Sequence, residues 1–378
     1  MKKSLKKLMS VGLAGAMILG LTACGGGSEQ SGATQAAPAA TEAPATEGGE
    51  AGAEAAGAEA AGTEAAGGSD TSYSGTVMMY SSMQEDQLIA IKEAFEAKYP
   101  NVKMEYYFAG TSKVITKIAT EQQAGQVDAD VIWVGDPADY VSFKEQNILQ
   151  QYTSPEAEAI DAAYIDKDGY YTGARLMNMG IAYNTALVTP EEAPQSWNDL
   201  LDEKWNDQIV MTDPGSSGTS KYWRNAIMCN DKYGVDYMQK LKDNGCYLES
   251  GTTATHNQLA ASAYKVGVCL DYVTANLANE GSPIAFVFPE DTVSIFSPIG
   301  LVANCANEEN GKLLYDFILS KEGQQVLIEN NLISVRNDIE QKDVDVAAIA
   351  AKAMDANLDD MVAKEEENSE AFDQIFGL

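Results

Sequence analysis

Histidine and basic residues are scarce in this chain. Among its 378 residues there is one histidine, and 25 Lys and Arg stand against 56 Asp and Glu, a formal net charge of −31. A surface so rich in carboxylates repels phosphate backbones, so nucleic-acid binding is excluded. One imidazole also provides too few ligands for a histidine-rich metal site. We therefore expect no metal and no other cofactor.

The motifs of the common enzyme classes are also absent. The sequence has no Gly-x-Ser-x-Gly turn, no His-Glu-x-x-His pair, no Walker phosphate loop and no Gly-x-Gly-x-x-Gly segment. Each of these patterns would place a nucleophile, metal ligands or phosphate-binding amides. A serine or cysteine triad would have to recruit His256, and nothing near that residue supports such a role. We therefore expect no catalytic residues and a protein that is not an enzyme.

Apolar runs long enough to span a bilayer, about 20 residues for a helix, are missing as well. Residues 9–21 form a shorter apolar run, and lysines at positions 2, 3, 6 and 7 precede it. A positive start followed by a short apolar run is typical of an export signal. The sequence therefore predicts a signal peptide over residues 1–23.

The segment Leu21-Thr22-Ala23-Cys24 follows this run and resembles the lipobox of bacterial lipoproteins. The resemblance implies cleavage before Cys24 and attachment of lipid, palmitate included, at that residue. Two or three acyl chains hold a protein firmly, because each buried CH₂ contributes about 0.8 kcal/mol. We expect a lipid-anchored protein on the extracytoplasmic face of the cell membrane. The alternative is an ordinary signal peptide with an incidental cysteine.

Residues 25–72 contain eight acidic residues, no Lys or Arg and no large apolar side chains. Such a stretch cannot bury enough apolar area to offset an ordering entropy of about 1–2 kcal/mol per residue. Glutamates that repel one another favour an extended chain. We therefore expect residues 24–72 to be the lipidated cysteine and a disordered tether.

Four further cysteines occur in the body of the chain, at positions 229, 246, 269 and 305. No two form a Cys-x-x-Cys pair, which argues against a zinc ribbon or a redox motif. Export permits disulfides, so a Cys229–Cys246 bridge and four free thiols both remain open. Cys269 lies in the apolar run 266–270, which predicts a buried strand residue.

The folded body begins with strand-like and helical patterns in alternation. Apolar and β-branched residues dominate 76–80, 102–108 and 130–134, which are predicted strands. Leu88 and Ile91 belong to a stripe of apolar residues with the helical spacing of three and four, between the first two of these strands. Strands that alternate with helices predict an α/β protein with a parallel sheet and right-handed crossovers.

A second set of elements follows an extended segment predicted over 173–188. Further strands are predicted over 208–211, 266–271, 285–289 and 299–303, and further helices over 220–230, 235–244, 308–319, 321–330 and 346–358. The two sets predict two α/β lobes. A cleft between lobes is a common ligand site.

Small polar residues follow several predicted strands, in the segments 81–82, 110–112 and 213–219. In open α/β sheets, ligands bind beyond the carboxyl ends of the strands, where helix N-termini present unpaired N–H groups. Hydroxyls at these positions can donate to an anion, although the same residue types also cap helices. The candidate ligand-binding residues in these segments are Ser82, Thr111, Ser112, Ser217, Gly218 and Thr219.

Among the ionisable residues elsewhere, two are further candidates for the ligand site and two are not. Asp136 and Asp271 directly follow apolar strand runs, so they are candidates to face the same cleft. A carboxylate there suits an ammonium, a sugar hydroxyl or a metal, and the alternative is a turn cap. Arg175 is predicted to pair with one of the many acids rather than with a ligand. His256 is predicted near a helix start, either solvent-facing or as a cap.

Several segments in this order resemble the family-1 extracellular solute-binding proteins of ABC importers, in the branch that holds ferric-ion, thiamine, sugar-phosphate and 2-aminoethylphosphonate binders. The resemblance covers roughly residues 75–340. Its segments are Tyr80-Ser81-Ser82, Ala109-Gly110-Thr111-Ser112, Asp130-Val131-Ile132-Trp133, Gly135-Asp136-Pro137, Ile181-Ala182-Tyr183-Asn184-Thr185, Asp213-Pro214 with Ser217-Gly218-Thr219, and Asp271-Tyr272.

This resemblance implies a type II periplasmic-binding-protein fold, with two lobes, a ligand cleft and a hinge that closes around a small ligand. Lobe one is expected over 73–175 plus 290–378, and lobe two over 176–289. The implied partners are an ABC permease and its ATPase, to which a monomer delivers the ligand.

The iron-binding members of the family pair a histidine, a glutamate and two adjacent tyrosines. The corresponding positions here are Gln84, Gly135 and Asp271-Tyr272, so three of these four ligands are absent. Ser217-Gly218-Thr219 matches the anion-binding segment of the family, and Asp271 with Tyr272 is expected to engage the other end of the ligand. The resemblance thus favours an aminoalkylphosphonate first and a sugar phosphate second.

Two alternatives remain at this point. One is a protein of the same family that binds ferric iron or an iron complex. The other is an exported enzyme that acts on small phosphoesters, for which the sequence shows no convincing nucleophile and base.

Replacement of Cys24 by Ala tests the anchor. The variant should be released from membranes with its ligand affinity unchanged, because the tether separates the lipid from the cleft. Fractionation after a high-salt wash measures the distribution. A Cys24→Ala protein that stays on the membrane would contradict the lipoprotein interpretation.

Overall fold

The computed structural model describes residues 69–341 and 344–378. The predicted signal peptide, Cys24 and the tether as far as residue 68 lie outside the described residues. Within the described ranges, strands and helices alternate as the α/β prediction requires. None of the described helices is long and apolar enough to cross a membrane.

A mixed β-sheet of nine strands forms the centre of the described structure. The strands are β1 Gly75–Ser81, β2 Val102–Phe108, β3 Val131–Trp133, β4 Tyr171–Asn184, β5 Ile209–Thr212, β6 Tyr247–Glu249, β7 Val266–Leu270, β8 Ile284–Val287 and β9 Val293–Leu301. Their hydrogen-bonded order is β2-β1-β3-β9-β4-β7-β5-β6, and β8 pairs with β4 beside this path.

Twelve α-helices connect and flank these strands in the described ranges. They are α1 Glu85–Lys98, α2 Thr111–Ala124, α3 Pro137–Glu145, α4 Gly218–Cys229, α5 Gly234–Asp243, α6 Thr252–Ala260, α7 Asp271–Asn279, α8 Glu308–Leu319, α9 Lys321–Glu329, α10 Val346–Ala351, α11 Leu358–Ala363 and α12 Glu365–Phe376. Short 3-10 helices cover Pro155–Ala159, Ala162–Tyr164, Trp197–Leu201 and Glu203–Trp205.

The first half of the sheet confirms the predicted β-α-β-α-β order. β1 lies between β2 and β3 and runs parallel to both. The predicted apolar stripe of α1 is buried, at Leu88, Ile91 and Phe95. Inward residues of β1, such as Val77 and Met79, belong to the same core cluster. The periodicities of two and 3.6 residues therefore place both elements correctly.

The second half contains β7, β5 and β6, in which β5 runs parallel to both neighbours. Strands β4 and β9 join the halves. β4 pairs antiparallel with β9 over residues 171–179 and with β7 over residues 179–183. β9 and β7 pair with opposite edges of β4, and the two pairings overlap only at Met179, which is opposite both Val293 and Leu270. The predicted extended segment is this strand.

The C-terminal region differs from the prediction of one helix over 346–358. The helix α10 stops at Ala351, because the chain then pairs with the backbone of Thr292. The N–H of Thr292 donates to the carbonyl of Lys352 at 2.9 Å, and the N–H of Met354 donates to the carbonyl of Thr292 at 2.8 Å. Asn357 then caps a new helix through the N–H of Asp360. The three-residue edge strand β6 was not predicted either, since so short a segment carries little periodicity.

The four cysteines of the body are free thiols in the structure. The Cys229–Cys246 disulfide, one of the two alternatives, is therefore not formed. Cys269 is 1% exposed and lies in β7, which confirms its prediction as a buried strand residue.

The lobe boundaries stay predictions. The C-terminal helices contact elements of both predicted lobes, because α11 packs on α3 and α4, while α12 packs on α4 and α5. Arg224 of α4 is buried and pairs with Glu365 of α12 at 2.7 Å. The C-terminal segment thus ties helices from the two halves of the sheet together.

Substitution of Gly180 by Ala tests the packing of β4. A Cβ atom there would lie 2.7 Å from the carbonyl oxygen of Val287 and 2.5 Å from the ring of Phe286. Because the Val287 carbonyl belongs to the backbone of β8, which is paired with β4, it cannot move aside freely. We therefore expect a loss of about 1–3 kcal/mol in the free energy of unfolding. Urea denaturation measures this loss.

The matched control is Gly251→Ala, where a Cβ atom meets nothing within 4 Å. It should change the free energy of unfolding by less than about 1 kcal/mol, the range of a weaker helix cap. Equal losses in the two variants would contradict the close approach of β4 and β8.

Candidate functional site

A cavity of about 510 Å³, the hydroxyl-lined cavity, lies where four loops meet. These loops precede the helices α1, α2, α4 and α6. Hydroxyl side chains and glycines dominate its lining, and Lys113 is the basic side chain among the lining residues. The loops before α1, α2 and α4 follow β1, β2 and β5, so the cavity has the position that α/β sheets favour for ligands.

The N-termini of these four helices converge on the cavity. Their cap residues, Gln84, Gly110, Ser217 and Gly251, all belong to its lining. Each N-terminus presents backbone N–H groups without intrahelical partners and the positive end of a helix dipole. Convergence of several such ends creates a site for an anion.

Four of the residues predicted from sequence line this cavity together: Ser82, Thr111, Ser112 and Ser217. The Ser112 hydroxyl donates to the carbonyl of Gly215 on the opposite loop. The Ser217 hydroxyl lies 3.1 Å from that of Thr219 and 3.3 Å from that of Thr252. Hydroxyls from segments far apart in the sequence therefore contact the loop before α4: Ser112 from the start of α2 and Thr252 from the start of α6.

Gly218 and Thr219 lie beside this cavity rather than in its lining. A Cβ atom at Gly218 would be 3.0 Å from the Thr111 side chain, and one at Gly135 would be 3.0 Å from the Thr219 methyl. These two residues therefore form the tight contact between the loop before α4 and the loops of the other half of the sheet.

Asp136 and Asp271 do not meet in one cleft in this structure. Asp136 is fully buried and caps α3 by accepting from the N–H of Ala138 at 2.8 Å, as the turn-cap alternative predicts. The Asp271 carboxylate accepts from the backbone and side-chain nitrogens of Asn178 and from the N–H of Tyr272, at 2.7–3.1 Å. Burial raises the pKa of Asp271 to about 6.

Asp271 and Tyr272 line a different cavity, of about 580 Å³, between α7, β8 and α10. Its lining is mainly apolar, with Phe286, Phe288 and Ile333 among the side chains. The predicted ligand-binding role of Asp271 and Tyr272 remains a prediction, and the structure separates both from the hydroxyl-lined cavity.

The prediction that Arg175 pairs with an acid is wrong. Arg175 is 2% exposed, and within the described residues its guanidinium contacts no carboxylate as an ion pair. It donates to the side-chain oxygen of Gln87 at 3.2 Å and lies 5.4 Å from the ring centre of Trp133 and 5.8 Å from that of Tyr272. Aromatic faces and an amide stabilise this charge instead.

His256 lies in α6, as predicted, but it is 1% exposed, so the solvent-facing alternative is wrong. Its Nδ1 is 2.8 Å from the carbonyl of Thr252, and the N–H of Leu270 donates to its Nε2 at 3.1 Å. These bonds assign a neutral ring with the proton on Nδ1. Burial lowers the pKa of His256. The ring thus ties the start of α6 to the end of β7.

Sequence reasoning missed Lys113 and the loop 250–254, all of which line the hydroxyl-lined cavity. A signal was present, because Ser250-Gly251-Thr252-Thr253 repeats the small, hydroxyl-rich composition of 216–219 just before a helix. In the described residues there is no group of three or more His, Cys, Asp or Glu that could hold a metal ion.

The chain is similar to a known protein family and to two relatives in other bacteria. A model of the family of bacterial extracellular solute-binding proteins matches residues 129–362. A putative 2-aminoethylphosphonate-binding periplasmic protein of Salmonella typhimurium is 27% identical over 268 residues, which cover 67% of this chain and 76% of that protein. An uncharacterized protein of Haemophilus influenzae is 27% identical over 266 residues, 67% of this chain and 75% of that one.

The fold of this chain also resembles the folds of solved structures. The periplasmic binding protein AfuA of Actinobacillus pleuropneumoniae, with exogenous fructose-6-phosphate bound, superposes with a TM-score of 0.72 at 25% identity, over 80% of this chain and 99% of that one. A ferric binding protein from Campylobacter jejuni superposes with a TM-score of 0.68 at 21% identity, over 79% and 99% of the chains. These likenesses confirm the two-lobed periplasmic-binding fold.

The pH dependence of stability tests the environment of His256. A lowered pKa means that the native protein binds fewer protons than the unfolded chain, so stability is lost as the pH falls below about 6.5. The loss can reach about 1.4 kcal/mol per pH unit. In His256→Asn this loss should disappear, because the chain has no other histidine.

Urea denaturation of the two proteins between pH 5 and pH 8 measures the difference (roughly the window around the ordinary histidine pKa). Asp139 and Asp271, whose pKa values burial raises, titrate in the same window in both proteins and cancel in the comparison. A difference that stays constant with pH would contradict a buried neutral imidazole.

Proposed function

Because this chain belongs to the family of bacterial extracellular solute-binding proteins, we propose that it is the lipid-anchored solute-binding component of an ABC importer. It captures a small anionic or zwitterionic ligand, with a phosphonate or phosphorylated compound favoured, and delivers it to the permease. Proteins of this family bind small ligands and are not enzymes, which supports a role in capture rather than turnover.

The observation that carries this proposal is the convergence of four helix N-termini and Lys113 on one cavity. A phosphorus oxyanion has three oxygens that accept hydrogen bonds, and backbone N–H groups, hydroxyls and an ammonium supply matching donors. The ligands named for the Salmonella relative and for AfuA, 2-aminoethylphosphonate and fructose-6-phosphate, both carry such a group.

An aminoalkylphosphonate also needs a partner for its ammonium. Asp271 was predicted for this role, but its oxygens already accept from Asn178 and Tyr272. Asp86 lines a small cavity that shares Gln84 with the hydroxyl-lined cavity. Asp86 is therefore our first choice in the described structure, and Asp271 is the alternative.

The anchor and the state of assembly are part of the proposal. Lipid on Cys24 would hold the protein at the extracytoplasmic face, and the acidic tether would give the folded body reach toward the permease. The periplasmic relatives support an extracytoplasmic location. The proposed unit is a monomer, in which the loops before α1, α2, α4 and α6 line the cavity.

Ferric iron is the second candidate of the same family. Ferric binding proteins share the fold at 21% identity or less, which carries no ligand assignment. In this chain Gln84, Gly135 and Asp271 occupy the positions where the family resemblance expects iron ligands. A phosphorus oxyanion therefore remains the favoured ligand.

Calorimetric titration of the full chain tests the proposal with 2-aminoethylphosphonate, fructose 6-phosphate, inorganic phosphate and ferric citrate. At least one of the first three should bind. Lys113→Met should weaken that binding about 10- to 150-fold, the loss of one hydrogen bond to a charged group at about 1.5–3 kcal/mol. The matched control is Lys167→Met, an exposed lysine that does not line the cavity.

Two further variants locate the ammonium partner. Asp86→Asn should weaken 2-aminoethylphosphonate strongly and inorganic phosphate little, since it removes a charge-assisted partner. The same pattern in Asp271→Asn instead would favour the sequence-based prediction. Binding of ferric citrate alone, or release of phosphate from fructose 6-phosphate, would overturn the proposal in favour of an iron binder or an enzyme.

A further inference from the structure

Two acids of α3 share one lysine of α4. The Lys221 ammonium lies 3.0 Å from an oxygen of Asp136 and also pairs with the carboxylate of Asp139. Asp136 is 0% exposed and Asp139 is 7% exposed, and the Lys221 side chain is 19% exposed. Ion pairs removed from water to this degree are screened little by salt.

This cluster connects the two halves of the sheet. α3 follows β3, which belongs to the β2-β1-β3 half, and α4 follows β5, which belongs to the β7-β5-β6 half. The neighbouring contacts cross in the same way, because Thr219 lies against Gly135 and Thr111 lies against Gly218. The ion pairs therefore fasten the helix whose N-terminus lines the hydroxyl-lined cavity.

Neither the lysine nor the two acids line that cavity. Two carboxylates face one ammonium, so the cluster carries a surplus negative charge. Within the described residues Lys221 is the one polar partner of Asp136 Oδ2 and of Asp139 Oδ1, and Asp139 Oδ2 has no hydrogen-bond partner. A buried ion pair of this kind can fix one arrangement of two helices over another.

We propose that Lys221 is a positioning residue for ligand binding, which holds α4 against α3 so that the helix N-termini of both halves face one cavity. The inference rests on the proposed function. A ligand that contacts both halves binds only the closed arrangement, so a contact that favours closure raises affinity without touching the ligand.

The surplus carboxylate predicts effects of opposite sign. Loss of the ammonium in Lys221→Met leaves both carboxylates of α3 without a charged partner on α4. Unpaired buried carboxylates favour exposure to water, which separates the helices and weakens binding. Loss of one carboxylate in Asp139→Asn leaves the Lys221–Asp136 pair intact and removes a negative charge near an anion site, which strengthens binding. A residue that merely supported the fold would weaken binding in both variants.

The affinity of the full chain for 2-aminoethylphosphonate and for inorganic phosphate is measured by calorimetry. Lys221→Met should weaken binding at least about tenfold, and Lys221→Arg should restore most of it. Asp139→Asn should tighten binding about two- to fivefold. Weaker binding in Asp139→Asn, or no change in Lys221→Met, would overturn the proposal.

Small-angle scattering without ligand separates this proposal from the proposed function. Lys221→Met should have a larger radius of gyration than the wild type, and Lys221→Arg should not. If neither probe binds the wild type, the scattering result alone decides the role of Lys221. An unchanged radius in Lys221→Met would overturn it.

Should Lys221→Met fail to fold, the double variant Lys221→Met with Asp139→Asn removes the repulsion between the carboxylates. It should fold and still show the larger radius. A radius equal to that of the wild type would overturn the proposal.

The pH dependence of affinity gives a further readout. Burial raises the pKa of Asp139, so the closed protein takes up a proton as the pH falls, and anion affinity should rise from pH 8 to pH 6 (roughly one unit on each side of neutrality). In Asp139→Asn this rise in affinity should vanish. Titration of the ligand is the same in both experiments and cancels in the ratio of the two proteins' affinities. The charged groups near Asp139 are Asp136, Lys221 and Glu365, with Asp359 and Asp360 on α11; β9 has no titratable residue.

Discussion

The pairing of β4 with β9 is the constraint on which the rest of the structure depends. These two strands join the halves of the sheet. β9 and β7 pair with opposite edges of β4, and the two pairings overlap at Met179. Almost every residue of β4 is buried, including polar ones such as Arg175 and Asn178, which bond to Gln87 and Asp271. Because the two halves are fixed along this line, the loops before α1, α2, α4 and α6 line one cavity.

A chain with a formal net charge of −31 has to attract an anion against its own field. The means are local: helix N-termini, hydroxyls and Lys113 concentrate hydrogen-bond donors within one cavity. Surface carboxylates more than about 8 Å away are largely screened at physiological ionic strength. Among the buried acids, Asp136 and Asp139 are paired with Lys221, and Asp271 accepts hydrogen bonds from Asn178 and Tyr272.

Sequence reasoning singled out the hydroxyl residues that line the cavity, Ser82, Thr111, Ser112 and Ser217, because their signal is local: a strand ends, a small polar loop follows and a helix begins. Their role in ligand binding stays a prediction. Sequence reasoning could not assign the acids, since their partners are distant in the chain. Asp271 accepts from Asn178, 93 residues away, and Asp139 pairs with Lys221, 82 residues away. Arg175 was expected to have an acidic partner because acids are abundant in the chain. Its neighbours in the structure are the rings of Trp133 and Tyr272, which are also distant in sequence.

Local patterns in the sequence were sufficient to predict the α/β alternation and the positions of most helices and strands, because periodicity and motifs are properties of neighbouring residues. Three features became known from the three-dimensional contacts: which helix N-termini share a cavity, that the four described cysteines are unpaired, and that the last predicted helix divides where the chain pairs with Thr292. Each of these depends on backbone or side-chain contacts between segments far apart in the chain, and such contacts leave no periodic signal in the sequence.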